Sequence, residues 1–209
     1  MIQKALVVAV LILGAALMAV PAEAIVFQLT SDHCTGTCGT PPFGTVEVLQ
    51  VGANVTITST LNAGFQYAQT GAADFQIFKF NGTGVAVGDI VVGAHVPALA
   101  AATGAFNGDG TGNFTFGINC PTCGNGPTGF GGAINFTVNN ATIAEVTAPN
   151  NLGNIFVADV LAPNGNTGPI DVTAAGVVPE PTTLLMVGTV LVGLGGAWRL
   201  RRSKRAVAV

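Results

Sequence analysis

Four cysteines in two close pairs are the residues best placed for chemistry: Cys34 and Cys38 in HCTGTCG, Cys120 and Cys123 in NCPTCGNG. Such spacing suits dithiol redox exchange, zinc ligation or a disulfide. A redox thiol needs a helix N-terminus to stabilise its thiolate, and Gly124-Asn125-Gly126-Pro127 permits no helix after the second pair. Zinc held by these thiolates, with His33 beside them, requires a compartment that keeps thiols reduced. In an exported chain, where thiols are not kept reduced, disulfides are the expected state. Their connectivity is open, with the local pairs favoured because each lies within its own tight turn.

Asn107 to Asn113 reads NGDGTGN, with oxygen-bearing side chains at alternate positions as in calcium loops. Ile118 stands where an EF-hand requires a bidentate Glu, and no exiting helix follows, so a glycine-rich hairpin turn is expected. Asn-x-Thr triplets begin at Asn54, Asn81, Asn113, Asn135 and Asn140. Several fall inside strand-like runs rather than at loop tips, and a chain rich in Asn and Thr produces them by composition. His33 and His95 are the only histidines, and Ser31 and Ser59 the only serines of the central region. Neither serine lies in a nucleophile elbow, the acids are scattered singly, and His95 suits a loop or strand end. No catalytic constellation, metal site or cofactor motif emerges, and an enzyme is not expected.

The elements that would position these residues have period two. TVEVLQV (Thr45 to Val51) and NVTITSTL (Asn54 to Leu61) alternate about a Gly52-Ala53 hairpin turn. DFQIFKF (Asp74 to Phe80) alternates throughout, placing Phe75, Ile77 and Lys79 on one face and Gln76, Phe78 and Phe80 on the other. Further strands are expected at Ile25 to Leu29, Val85 to Gly93, Asn113 to Ile118, Ala133 to Val138, Asn154 to Leu161 and Pro169 to Val172. Pro97 to Phe106 is expected to hold a single helical turn. Short strands rich in Val, Ile, Thr and Phe, separated by Asn/Gly turns, predict one antiparallel β-sandwich or jelly-roll-like domain over residues 25–178.

The two ends have another character. Lys4 precedes the apolar run Ala5 to Val20, and Ala22 and Ala24 supply the small residues that signal peptidase needs. Residues 1–24 therefore read as a signal peptide, cut after Ala24. At the other end, Thr182 to Trp198 carries no charge, and about 26 Å of helix is just enough for a thin bilayer core. Trp198 sits where an interfacial aromatic belongs, and Arg199, Arg201, Arg202, Lys204 and Arg205 follow. Positive charge beside a span stays cytoplasmic, so residues 182–198 are expected to cross the membrane, leaving 199–209 inside and everything earlier outside. Between these ends, eight acidic residues face one base, Lys79, for a net charge near −7 that the basic tail masks in the whole-chain −3. A domain so charged repels nucleic acid, which is excluded as a partner.

Val178-Pro179-Glu180-Pro181, a glycine-containing apolar helix and an arginine-rich end, in that order, closely resemble the PEP-CTERM sorting signal of Gram-negative exported proteins. The resemblance covers Val178 to Arg205. It implies recognition by an exosortase at the inner membrane, cleavage at or near Pro179 to Pro181, and transfer to the cell surface or an exopolysaccharide matrix or biofilm. Signal peptidase and the Sec translocon are the export partners it entails. Each proline fixes its own φ and holds the preceding residue extended, so the tripeptide cannot join the following helix and is expected to present an open backbone. The exported domain is expected to be structural or adhesive. A carbohydrate-binding or carbohydrate-processing module is the alternative, with Tyr67 as the domain's one polar aromatic.

Overall fold

Gly52 and Ala53 close a two-residue hairpin, seen in a computed structural model that describes residues 23–70, 75–122, 126–173 and 177–179. Gly52 has φ +60, the left-handed geometry that a type II′ turn puts at its first central residue. The turn fixes the register of β3 (Gly44–Val51) on β4 (Asn54–Leu61), from Gly44 opposite Leu61 to Val51 opposite Asn54. Val46, Val48, Val55 and Ile57 then point inward and are fully buried, while Glu47 between them is exposed.

Two antiparallel sheets result. The first runs β14 (Val177–Pro179), β1 (Ala24–Leu29), β3, β4, β11 (Ile134–Val138) and β7 (Ile90–Val92). The second runs β10 (Gly126–Phe130), β5 (Gln66–Gln69), β12 (Asn154–Leu161), β6 (Gln76–Phe80), β9 (Asn113–Asn119) and β8 (Ala100–Asn107). There β13 (Thr167–Thr173) also pairs with β12, and β2 (Ser31–Asp32) with β13. The chain changes sheet between β1 and β2 through the single residue Thr30, whose N–H donates to the Asp171 carbonyl.

Phenylalanines join the sheets. Phe27 of β1 meets Phe156 of β12 edge-on at 5.4 Å between ring centroids, and Phe136 of β11 meets Phe78 and Phe80 of β6 at 6.0 and 5.2 Å. Phe78 also stacks on Phe156 at 5.7 Å. These five rings are almost wholly shielded from water, and each contributes about 1.5–3 kcal/mol by burial. In β6 and along β12 from Asn154 to Val160 every residue is buried, so both faces of these central strands are covered.

Three expected elements differ. Strand β6 starts at Gln76, leaving Phe75, with φ +60 and exposed, outside the alternation expected from Asp74. Pro97 to Phe106 forms no helical turn: Ala100 to Asn107 is strand β8, paired along β9 with a register shift between Thr103 and Phe106. The helical propensity of its alanines is overridden by the ladder offered by the neighbouring strand. Val85 to Gly93 is strand only at β7; Val87–Asp89 is a 3₁₀ turn, where Ala86 N–H donates to the Asp89 carboxylate at 2.9 Å. The one α-helix among the described residues, α1 (Ile143–Val146), opens on a capping box between Thr142 and Glu145. Ala24–Glu180 is one compact unit. No helix among the described residues is long and apolar enough to cross a membrane; the expected signal peptide, the span 182–198 and the tail lie outside them.

Candidate functional site

The sorting residues begin inside the fold. Two valines precede Pro179, and a residue before proline is held extended, so Val177–Pro179 adds to the first sheet as its edge strand. Proline lacks an N–H for a ladder, which suits it to an edge strand's last residue. Ile25 faces Pro179, Val26 faces Val178 and Phe27 faces Val177. The backbone expected to lie open is therefore paired up to Pro179, and the sheet extends into the motif. Ala24, the last residue before the expected signal-peptidase cut, is the first residue of β1 and faces Leu49 of β3. Glu180, Pro181, Ala22 and the basic residues Arg199, Arg201, Arg202, Lys204 and Arg205 lie outside the described residues.

Cys34 and Cys38 are paired, with their Cα atoms 5.4 Å apart. Paired sulfurs offer no thiolate to a metal, although Asp32 lies beside them. Asp32 instead braces the turn, accepting from the N–H groups of Cys34 and Cys38 at 3.0 and 2.9 Å and from the Thr37 hydroxyl at 2.7 Å. The amides of Asn164 and Asn166 donate to the Thr37 carbonyl, both at 2.8 Å, and pin the turn to the loop after β12. Cys120 is fully buried, whereas Cys123 lies outside the described residues.

Partial burial pushes the Asp32 carboxyl up, but the Thr37 hydroxyl, the two amides and the His33 charge outweigh it and hold it below the usual carboxylate range. With its folded value below the unfolded one, Asp32 contributes stability that is full above about pH 4 and lost as pH falls through the folded value. Urea titrations should therefore find wild type more stable than Asp32→Asn near pH 6, with the gap closing below about pH 4. A constant gap across that range would remove the assignment.

His33 Nε2 lies 3.1 Å from Asp171 Oδ2, tying β2 to β13. The Asp171 carboxylate is almost wholly buried, and its second oxygen has no hydrogen-bond partner among the described residues. Ser31 is opposite Asp171 in the strand register, yet no hydrogen bond joins its hydroxyl to His33 among the described residues. Ser59 and Tyr67 are buried, with the phenol donating to Ser59 Oγ at 2.8 Å. Burial pushes the Tyr67 phenol up, against the effect of that bond. Neither residue is available to a substrate or to a sugar ring at the surface. His95 sits past the end of β7, its Nε2 3.3 Å from the backbone N and O of Asn135, where it caps the sheet edge.

The Asn107 to Asn113 loop is a hairpin turn. Asn107 Oδ1 accepts from Asp109 N–H, and the Thr111 carbonyl accepts from the amides of Asn150 and Asn154 at 2.7 and 2.8 Å. These oxygens are thus engaged by the protein itself. Of the glycosylation-type triplets, Asn54, Asn113 and Asn135 lie on strands.

Lys79, the lone base, carries a role its sequence context only hinted at. It is 1% exposed and donates from Nζ to Asp159 Oδ2 at 2.8 Å. A base sharing a strand face with Ile77 was the available signal; the identity of its partner, on another strand, was not. Pairing these charges inside leaves an acidic exterior.

Comparison of the chain with curated proteins and with solved structures gave no match. Residues 177–202 match the PEP-CTERM protein-sorting motif, so the strand that closes the first sheet is also the start of a signal by which exported proteins are sorted by exosortase.

Proposed function

We propose that this is an exported, non-enzymatic surface or extracellular-matrix protein, structural or adhesive, that is held at the inner membrane and then released by exosortase. The sorting motif at residues 177–202, which begins inside an acidic β-rich unit, carries this reading. In it, signal peptidase reads Ala22 and Ala24 and removes residues 1–24 by cutting after Ala24, following Sec export. Val178, Pro179, Glu180 and Pro181 are the recognition sequence, residues 182–198 span the membrane, and 199–209 remain in the cytoplasm. The domain then reaches the cell surface, associated with exopolysaccharide, its cysteines all oxidised. Burial of Tyr67 and Ser59 favours a structural role over carbohydrate binding or processing, since neither side chain can meet a sugar.

Fractionation of the native host with mass spectrometry of the product tests this. The expected product starts at Ile25, ends within Pro179 to Pro181, leaves the cell or stays on its surface, and has no alkylatable thiol, with Cys34 recovered joined to Cys38. Intact precursor in the cytosol would sink the reading, and free thiols would sink its redox part.

A further inference from the structure

The ends of the β domain meet. Strand β1 starts at the expected signal-peptidase site and β14 ends in the sorting motif, and the two pair antiparallel with Ile25 opposite Pro179. The chain thus enters β1 and leaves β14 at one corner of the sheet. We propose that the β1 edge competes with exosortase for residues 177–179, so that folding of the domain holds the sorting motif back and cleavage must wait for β14 to peel from β1. This rests on the exosortase reading given above.

The argument is one of shared backbone groups. A peptide-binding cleft grips an extended chain through its main-chain N–H and C=O groups. In β14 those facing β1 are already engaged. Only the fraction of molecules with β14 undocked can offer the whole segment, and apparent affinity falls by that fraction. Undocking is feasible because β14 is three residues long, at a sheet edge, and ends in a proline. By contrast β1 also pairs with β3 over six residues, so it stays in place when β14 leaves. Removal of β14 turns β1 into an open edge, and re-docking of the cut strand would close it again.

Two measurements test this on the full-length precursor. In wild-type precursor made without exosortase, whichever of the Val177 and Val178 amides points at β1 should exchange about tenfold or more slowly than in an unstructured peptide. Exchange at the unstructured rate overturns the proposal without any variant. Val26→Cys with Val178→Cys places two cysteines at facing positions, within reach of a disulfide. Oxidation should join them, whereas Glu47→Cys with Val178→Cys, a strand further away, should stay open. In membranes containing exosortase, the joined form should be cut about tenfold or more slowly than the single variant Val178→Cys, and reductant should restore the rate. Equal cutting of joined and reduced forms overturns the gate. That result differs from failure of the exosortase reading itself, in which wild type would not be cut at the motif at all.

Discussion

Replacing Lys79 by methionine is expected to destabilise the β domain by about 3–5 kcal/mol, read as a fall in urea midpoint with little change in slope. Lys79 and Asp159 are 1% and 0% exposed, on adjacent central strands whose two faces are both covered. Removing the ammonium takes a 2.8 Å ion-pair partner from a carboxylate that water cannot reach, and that loss dominates. Domains of this size are stable by only about 5–15 kcal/mol, so the variant approaches the unfolding threshold. Changing both partners, Lys79→Met with Asp159→Leu, should recover part of the loss, because two apolar groups bury no charge. A loss below about 1 kcal/mol for Lys79→Met would mean that the pair is solvated and that the central strands are more open than described.

Changing Pro179-Glu180-Pro181 to alanines should abolish processing, leaving a larger, membrane-retained species on an immunoblot. Alanine removes the fixed φ of both prolines and the restriction on the residues before them, so the helix expected from the apolar sequence after the motif could extend back through it. A helical backbone has its N–H and C=O groups satisfied internally and offers a protease little to grip. The same change removes the proline that ends β14, so the edge strand's register is less sharply terminated. Loss of cleavage together with lasting retention is the signature expected of a sorting signal. Unchanged size and release would refute exosortase cleavage at this motif.

Strands such as β3, β4 and β12 could be read directly from the chain. Alternation of apolar and polar residues is a local property, and Gly52-Ala53 supplies a turn whose geometry depends on those residues themselves. The capping box of α1 was equally local, Thr142 with Glu145 three residues on, though too short to stand out among strands. Segment Ala100–Asn107 misled because local propensity favoured helix while β9 offered it a ladder.

Local chemistry thus specified the turns, the alternating strands, the cysteine-bearing loops and the sorting motif, since each depends on residues a few positions apart. Tertiary structure decided which distant groups became partners: Lys79 with Asp159, His33 with Asp171, and the start of the sorting motif with the first strand. Those choices follow from which strands lie side by side, a long-range outcome that side-chain alternation cannot encode because many pairings satisfy the same pattern.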